Sequence, residues 1–195
     1  MFPIERKTGI GGKRAILKSI SRIWIACLFV LVIHAPASAF QADITGLCFS
    51  PGGGCTALVV KEINQARRQI RVMAYSFTSA PIGRALIRAR RRGVDVQVVI
   101  DRGNATDRYS EVRFFRNQRI PVYVDAHEEL MHDKVMIIDS RIVITGSFNW
   151  TRAAEFYNAE NLLVISSPEL AGRYLQNWSL HAGHSALQAP AGSSW

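Results

Sequence analysis

Several features are scarce or missing in this 195-residue chain, and each absence excludes something. No apolar run reaches the roughly 20 residues needed to span a bilayer as a helix. The longest, IWIACLFVLVI from Ile23 to Ile33, is about half that length. Beyond residue 39 no amphipathic helix suited to a membrane surface is apparent, so stable membrane association is not expected there. Cysteine is nearly absent. Cys27 lies inside the apolar run with no convincing lipobox ahead of it, which argues against lipidation, and only Cys48 and Cys55 follow. There is no internal repeat. The glycine-rich loop FSPGGG, Phe49 to Gly54, precedes a helical pattern, but no GxxxxGK follows. A nucleotide-binding P-loop is therefore excluded, and a structural turn is expected. The segment HEELMHD, His127 to Asp133, lacks the zinc-protease spacing, because its histidines are five apart rather than four. No metal site and no cofactor are expected, and His127 is read as a loop residue near a site entrance. No comb of base-stacking aromatics is visible, which argues against sequence-specific nucleic-acid reading.

Basic residues, in contrast, are plentiful: 24 Lys and Arg against 15 Asp and Glu, a net charge of +9. Six of the bases (Arg6, Lys7, Lys13, Arg14, Lys18, Arg22) and one acid (Glu5) fall in residues 1–39, leaving 18 against 14, or +4. That N-terminal stretch has the order of a secretory signal: a long basic region, the apolar run, Pro36, then Ala37-Ser38-Ala39. Cleavage after Ala39 is expected, with an uncleaved anchor as the alternative, and the product is expected in the periplasm or secreted. The mild positive charge of the remainder suits a polyanionic substrate without requiring one. In an oxidising compartment Cys48 and Cys55, seven apart across a flexible loop, are expected to form a disulfide, with free thiols as the alternative.

The stretch that organises the chain is MHDKVMIIDSRIVITGSFN, Met131 to Asn149. Two β-forming runs, VMII and IVIT, are broken at Asp139-Ser140-Arg141, which reads as a hairpin. With Ser140 and Arg141 as turn residues, Lys134 would face Ser147 and His132 would face Asn149, all four on one side of the pair. An imidazole, an ammonium, a hydroxyl and a carboxamide would then converge on a spot the size of one phosphate. Phosphodiester chemistry needs such a set: a nucleophile for phosphorus, donors for the non-bridging oxygens, and an acid for the leaving oxygen. His132 can attack as a nucleophile, while Lys134, Ser147 and Asn149 hold the phosphate. An attacking imidazole needs an acceptor on its other nitrogen, and Glu160 is the candidate.

The same stretch matches HxKxxxxDxxxxxxGSxN at His132, Lys134, Asp139, Gly146, Ser147 and Asn149, the signature of the phospholipase D superfamily. FSPGGG, AYSFTSAPI (Ala74 to Ile82), GVDVQVVID (Gly93 to Asp101) and NAENLLVI (Asn158 to Ile165) resemble its small bacterial endonuclease branch. The resemblance covers nearly all of the chain after the leader. It implies a metal-independent phosphodiesterase with His132 as nucleophile, Lys134, Ser147 and Asn149 around the phosphate, and Glu160 orienting the histidine. Asp139 belongs to the motif set, with the turn rather than the substrate as its expected partner. The resemblance also implies a homodimer, because larger members carry two motifs in one chain. The chemistry argues the same way: attack on one side of phosphorus needs an acid on the other, and one chain has one motif histidine.

Strands alternating with helices, followed by the hairpin, predict an α/β sandwich around a mixed sheet. A helix is expected over 56–69, a strand over 70–77, and a helix capped by Ser79 with Pro81 in its first turn and Gly93 at its end. Its terminal Arg88–Arg92 run is read as a solvated end, with a phosphate-tracking patch as the alternative. The run 94–101 reads as a strand buried on both faces. A helix over 106–119 with Arg108, Arg113, Arg116 and Arg119 exposed, a strand over 121–125, a short helix over 151–157, a strand over 161–165 and a helix over 168–181 complete the catalytic domain, 40–181. Residues 182–195 read as a loose tail, with His181 and His184 as surface residues. The leading functional expectation is a nuclease of low sequence specificity acting on DNA and perhaps RNA. A lipid phosphodiesterase and a non-catalytic nucleic-acid-binding protein are the alternatives.

Overall fold

The computed structural model describes residues 41–106 and 110–188. The expected leader, its cleavage point and residues 189–195 lie outside the described residues. Among the described residues the elements follow in the order β1 (Asp43–Ser50), α1 (Cys55–Gln65), β2 (Gln69–Ala74), α2 (Ala80–Arg91), β3 (Asp95–Asp101), α3 (Arg102–Ala105), α4 (Val112–Asn117), β4 (Val122–Asp125), β5 (Lys134–Ile138), β6 (Ile142–Gly146), α5 (Arg152–Phe156), β7 (Glu160–Ser166), α6 (Pro168–His184) and β8 (Ala186–Gln188). The eight strands form one sheet in the order β1-β7-β6-β5-β2-β3-β4-β8. The pairs β2–β3 and β3–β4 are parallel, and the others are antiparallel.

Alternation along the central strands builds two cores. Ile70, Val72, Val96, Val98, Ile100, Met136 and Ile138 point to one face, where α1, α2 and α4 add Val59, Ile63, Leu86 and Phe115. Met73, Val99, Val135, Ile137 and Val143 point to the other, where α6 adds Ala171 and Trp178. Burial on both faces explains why these strands read as continuous apolar runs rather than alternating ones. The architecture is the expected αβα sandwich around a mixed sheet.

Four expectations are corrected. Strand β1 was not foreseen, because it is an edge strand with Ile44, Leu47 and Phe49 exposed, held chiefly by pairing to β7. Of the helix expected over 106–119, the described part is α4, Val112–Asn117, while Arg108 lies outside the described residues. The Glu111 N–H donates to Phe77 O at 3.0 Å, a tertiary bond in place of a helical one. The loose tail is ordered at its start: α6 runs on to His184, and β8 pairs with β4. Finally, Ser79 stands at the N-cap of α2 but its side chain makes no capping bond.

The glycine-rich loop is a structural turn. Cys48 and Cys55 are joined across it by a disulfide. The buried Glu155 carboxylate accepts from Gly54 N at 3.2 Å and Thr56 N at 2.6 Å. A carboxylate of the chain itself thus occupies the amide donors at the start of α1, which a phosphate would need. The arginine run ending α2 is largely committed to structure as well. Arg92 donates to Ile63 O at 3.0 Å, Arg91 to Gln118 Oε1 at 3.0 Å, and Arg90 lies 3.9 Å from Asp95.

The hairpin register differs from the expected one. Val135 pairs with Thr145 and Ile138 with Ile142, one residue away from the proposed match. The turn residues in left-handed conformation are Asp139 (φ 52°) and Ser140 (φ 56°), not Ser140 and Arg141. Positive φ is costly for residues with a Cβ. Asp139 offsets that cost: its carboxylate accepts from Arg67 N (2.9 Å), Arg68 N (2.7 Å) and Gln69 N (3.0 Å), tying the hairpin turn to the α1–β2 connection. Burial raises the Asp139 pKa, but the three amides and the Arg68 charge outweigh it and hold the group below its ordinary value. A depressed folded-state pKa contributes stability that is fully present above the unfolded value, near 4, and is lost as pH falls through the folded value. Asp139→Asn is therefore expected to cost about 1–3 kcal/mol near pH 7. The difference from wild type should shrink below about pH 4. Chemical denaturation at several pH values checks this; a pH-independent difference would refute it.

Candidate active site

Where Lys134 opens β5, Gly146 closes β6 and Glu160 opens β7, the same end of the sheet leaves a cleft of about 470 Å³. It is lined by His132, Asp133, Lys134, Ser147, Asn149 and Glu160, with Val135, Thr145, Gly146 and Tyr174 completing the wall. Five of the six sequence-derived candidates thus meet in one place. They do not meet by sharing a strand face. The observed register sets Lys134 in line with Gly146, and the next residues past β6 with that parity, Phe148 and Trp150, are buried in the core beneath α1 and α2. Ser147 and Asn149 have the opposite parity, and a one-residue slip should send them away from Lys134. They reach the cleft because the β5–β6 pairing ends at Thr145 and Gly146 (φ 151°) diverts the chain. A Cβ on Gly146 would lie 2.3 Å from Asn161 O, so only glycine fits there. Trp150 anchors the far side, donating its indole N–H to Met73 O at 3.1 Å and accepting from Thr78 N and Ser79 N at 2.9 Å each.

Each polar group is held from behind. Lys134, only 9% exposed, donates from Nζ to His132 O at 2.6 Å, and its ammonium sits 4.8 Å from the centre of the Tyr75 ring. The same ring packs against the His132 imidazole at 4.4 Å. Tyr75 is fixed in turn by its N–H to Asp133 O, 3.0 Å. Ser147 Oγ accepts from Asn161 N (3.1 Å) and Asn161 Nδ2 (3.3 Å). With both acceptor positions taken, the hydroxyl proton is what remains for the cleft. Asn149 Oδ1 is sealed from solvent and, among the described residues, has no hydrogen-bond partner.

Comparison with known proteins agrees with the motif. The family profile described as "Cardiolipin synthase, PLD-like domain" matches residues 59–179. A protein named phospholipase D from Rickettsia conorii is 39% identical over 159 residues, covering 82% of this chain and 80% of its own length. Among solved structures, Nuc from Salmonella typhimurium, a phospholipase D family member, superposes with a TM-score of 0.73 at 39% identity, covering 76% of this chain and 99% of that one. NucT from Helicobacter pylori gives a TM-score of 0.66 at 25% identity, over 76% of this chain and 99% of that one.

The chain belongs to the phospholipase D superfamily. It is a phosphodiesterase of that superfamily, built on the small single-domain plan.

Asp139 of this phospholipase D-like domain holds the hairpin turn, the partner expected for it, and is not in the cleft. It lies at the opposite end of the five-residue strand β5, roughly 17 Å away along the chain. Glu160 lines the cleft, but its carboxylate accepts from Asn158 Nδ2 at 3.0 Å, and the packing neighbour of the His132 ring is Tyr75. Tyr75 and Asn161 were missed as site residues. Both lie in the segments that carried the family resemblance, yet neither has a spacing that would single it out.

The remaining histidines also required structure to place. His181 and His184 are not surface residues. Their rings, 13% and 21% exposed, reach Asp125 Oδ2 at 2.7 and 3.1 Å. Burial raises the Asp125 pKa, but the His127 amide and these two rings outweigh it and hold it low. His127 is not at the cleft entrance; its ring stacks on His184 at 4.5 Å.

Burial pulls the Lys134 ammonium below the ordinary lysine pKa, while the negative charges of Asp133 and Glu160 push back. A lysine with a depressed pKa loses its charge at lower pH than an ordinary lysine would. Activity is therefore expected to fall on the alkaline side before the usual lysine range. Lys134→Arg should keep part of the turnover and move that fall upward, whereas Lys134→Met should lose about 100- to 1,000-fold. Rate profiles from pH 6 to 11 check this. Coincident alkaline limbs for wild type and Lys134→Arg would separate Lys134 from the titration.

Proposed function

We propose that this protein is a secreted or periplasmic endonuclease that cleaves DNA, and RNA as well, with little sequence preference, through a phosphohistidine on His132. The observation that carries this reading is the convergence of His132, Lys134, Ser147, Asn149 and Glu160 on one open, polar cleft. In the proposed cycle a His132 nitrogen attacks phosphorus, the P–O bond to the leaving nucleoside breaks, and the leaving oxygen takes a proton from an acid on the opposite side. Lys134, the Ser147 hydroxyl and the Asn149 carboxamide hold the non-bridging oxygens as charge builds. Water deprotonated by the spent acid then displaces the histidine. The catalytic groups are all supplied by protein side chains. Glu160 orients the nucleophile once substrate fills the cleft.

The acid is a second His132, brought by two-fold pairing of two chains so that one composite site forms at the interface. One observation supports pairing at this end of the molecule. Phe49, Phe156 and Tyr157 are exposed (62, 57 and 71%) on segments beside Glu160, an apolar border that a second copy would cover.

Nucleic acid is favoured over lipid by the polar lining and by the surplus of bases after residue 39. A lipid phosphodiesterase is the second reading. The Rickettsia conorii relative bears the name phospholipase D, and the apolar border could equally rest on acyl chains. Supercoiled plasmid, single-stranded DNA, RNA and phosphatidylcholine vesicles, each with excess EDTA and with folding monitored by circular dichroism, separate the two. Wild type is expected to cut the nucleic acids and leave the lipid. His132→Ala should lose roughly 10,000-fold or more. Turnover of lipid alone would establish the second reading; DNA retention without cleavage would establish a binding protein. Tyr157→Asp should weaken the dimer in sedimentation and lower activity in proportion. An active monomer would refute the composite site.

A further inference from the structure

Away from the cleft, four side chains from two distant parts of the chain face one another. Asp125 ends β4, Glu128 lies in the loop after it, and His181 and His184 stand one turn apart on the last stretch of α6. One donor atom from each lies within 4.8 Å of all the others. Asp125 Oδ2 is 2.7 Å from His181 Nδ1 and 3.1 Å from His184 Nε2, and Glu128 Oε2 is 3.6 and 3.5 Å from the same two nitrogens. Ligands about 2.0–2.1 Å from a tetrahedral zinc ion stand about 3.3 Å from one another, inside the 2.7–4.8 Å spread of these donors.

Hydrogen bonding alone accounts for half of the arrangement. Two imidazoles can both donate to Asp125. Glu128 Oε2, however, is sealed from solvent and, among the described residues, has no hydrogen-bond partner, although it points at both rings. A second carboxylate set beside the fully buried Asp125 carboxylate is stabilised by a cation between them, because like charges at this spacing raise each other's energy. The other oxygen of Glu128, Oε1, lies 3.2 Å from His127 Nδ1, and the His127 ring stacks on His184. That is the outer support which fixes metal ligands in orientation.

We propose that Asp125, Glu128, His181 and His184 form a structural site for one divalent transition-metal ion, zinc by its donor set. Two imidazole nitrogens and two carboxylate oxygens in a compact, closed array favour Zn²⁺ over Ca²⁺ or Mg²⁺, which take six or more oxygens. Two carboxylates neutralise the ion. The sequence hides the set because the ligands are paired as D-x-x-E and H-x-x-H more than 50 residues apart, unlike the spacing of a zinc protease. Its role is mechanical. Tyr174 of α6 lines the cleft, and His184 lies about 15 Å further along the same helix. An ion here pins the end of α6 and the start of β8 to β4, and so steadies one wall of the cleft without touching substrate.

The test uses the full mature chain, stripped with a chelator and checked for folding, then titrated with Zn²⁺ against a chromophoric competitor and with Co²⁺ in visible absorption. One ion per chain is expected, with the intense d–d bands of tetrahedral cobalt and a higher Tm on zinc addition. Glu128→Gln and His184→Ala should each weaken zinc binding about 100-fold or more and abolish the Tm rise. His132→Ala, which removes the cleft histidine, should bind as wild type does. X-ray absorption on the wild-type zinc form should show two imidazoles among four N/O ligands, a measurement that does not depend on a variant folding. Absence of stoichiometric binding in wild type, or unchanged affinity in both site variants, would overturn the proposal. These readouts are independent of nuclease activity, so the two readings can fail separately.

Discussion

The Asp139 carboxylate, accepting three consecutive backbone amides from Arg67, Arg68 and Gln69, is the contact on which the rest of the structure depends. It makes a left-handed turn at Asp139 and Ser140 tolerable, and that turn sets where β5 and β6 meet. In a sheet with both faces buried, register is not a detail. A slip by one residue would exchange Met136 and Ile138 for Val135 and Ile137 between the two cores. The same register delivers Lys134 and Gly146 together at the other end of the strands. A motif aspartate roughly 17 Å from the chemistry therefore positions it through the rigidity of two paired strands.

At that end the scaffold stops being regular, and the site lives in the irregularity. Gly146 releases the chain from the β5–β6 ladder, so that Ser147 and Asn149 turn into the cleft while Phe148 and Trp150 stay in the core. Tyr75 packs against His132 and Lys134 at once, limiting their rotamers. Lys134 is nearly buried, with its ammonium satisfied by a carbonyl two residues back and by the face of an aromatic ring. A charge held so sparsely is costly in the resting protein and available to an anion. In structural terms the donors are fixed in the resting protein, which is the arrangement that preorganised electrostatic stabilisation requires.

The sandwich, the hairpin and most helices were legible because their signals are local. Apolar runs of strand length, Pro81 near the start of α2 and Gly93 just past its end, and the capping Thr151 all act within a few residues. What was not legible depended on partners distant in sequence. Strand β1 exposes Ile44, Leu47 and Phe49 and buries little, so no periodicity marks it; β7 makes it a strand. Strand β8 exists because the edge of β4 was open to it.

By itself, the sequence determined the chemistry: the motif from His132 to Asn149 carries its own reactive groups at fixed spacing, and reactivity is a property of side chains. Only the tertiary structure decided which of those groups face one another. It set the register one residue from the simple hairpin, tied Asp139 to three amides of the α1–β2 connection, and gathered Asp125, Glu128, His181 and His184. Spacing along a strand fixes a direction, but whether two directions meet depends on twists, turns and glycines that respond to the whole fold.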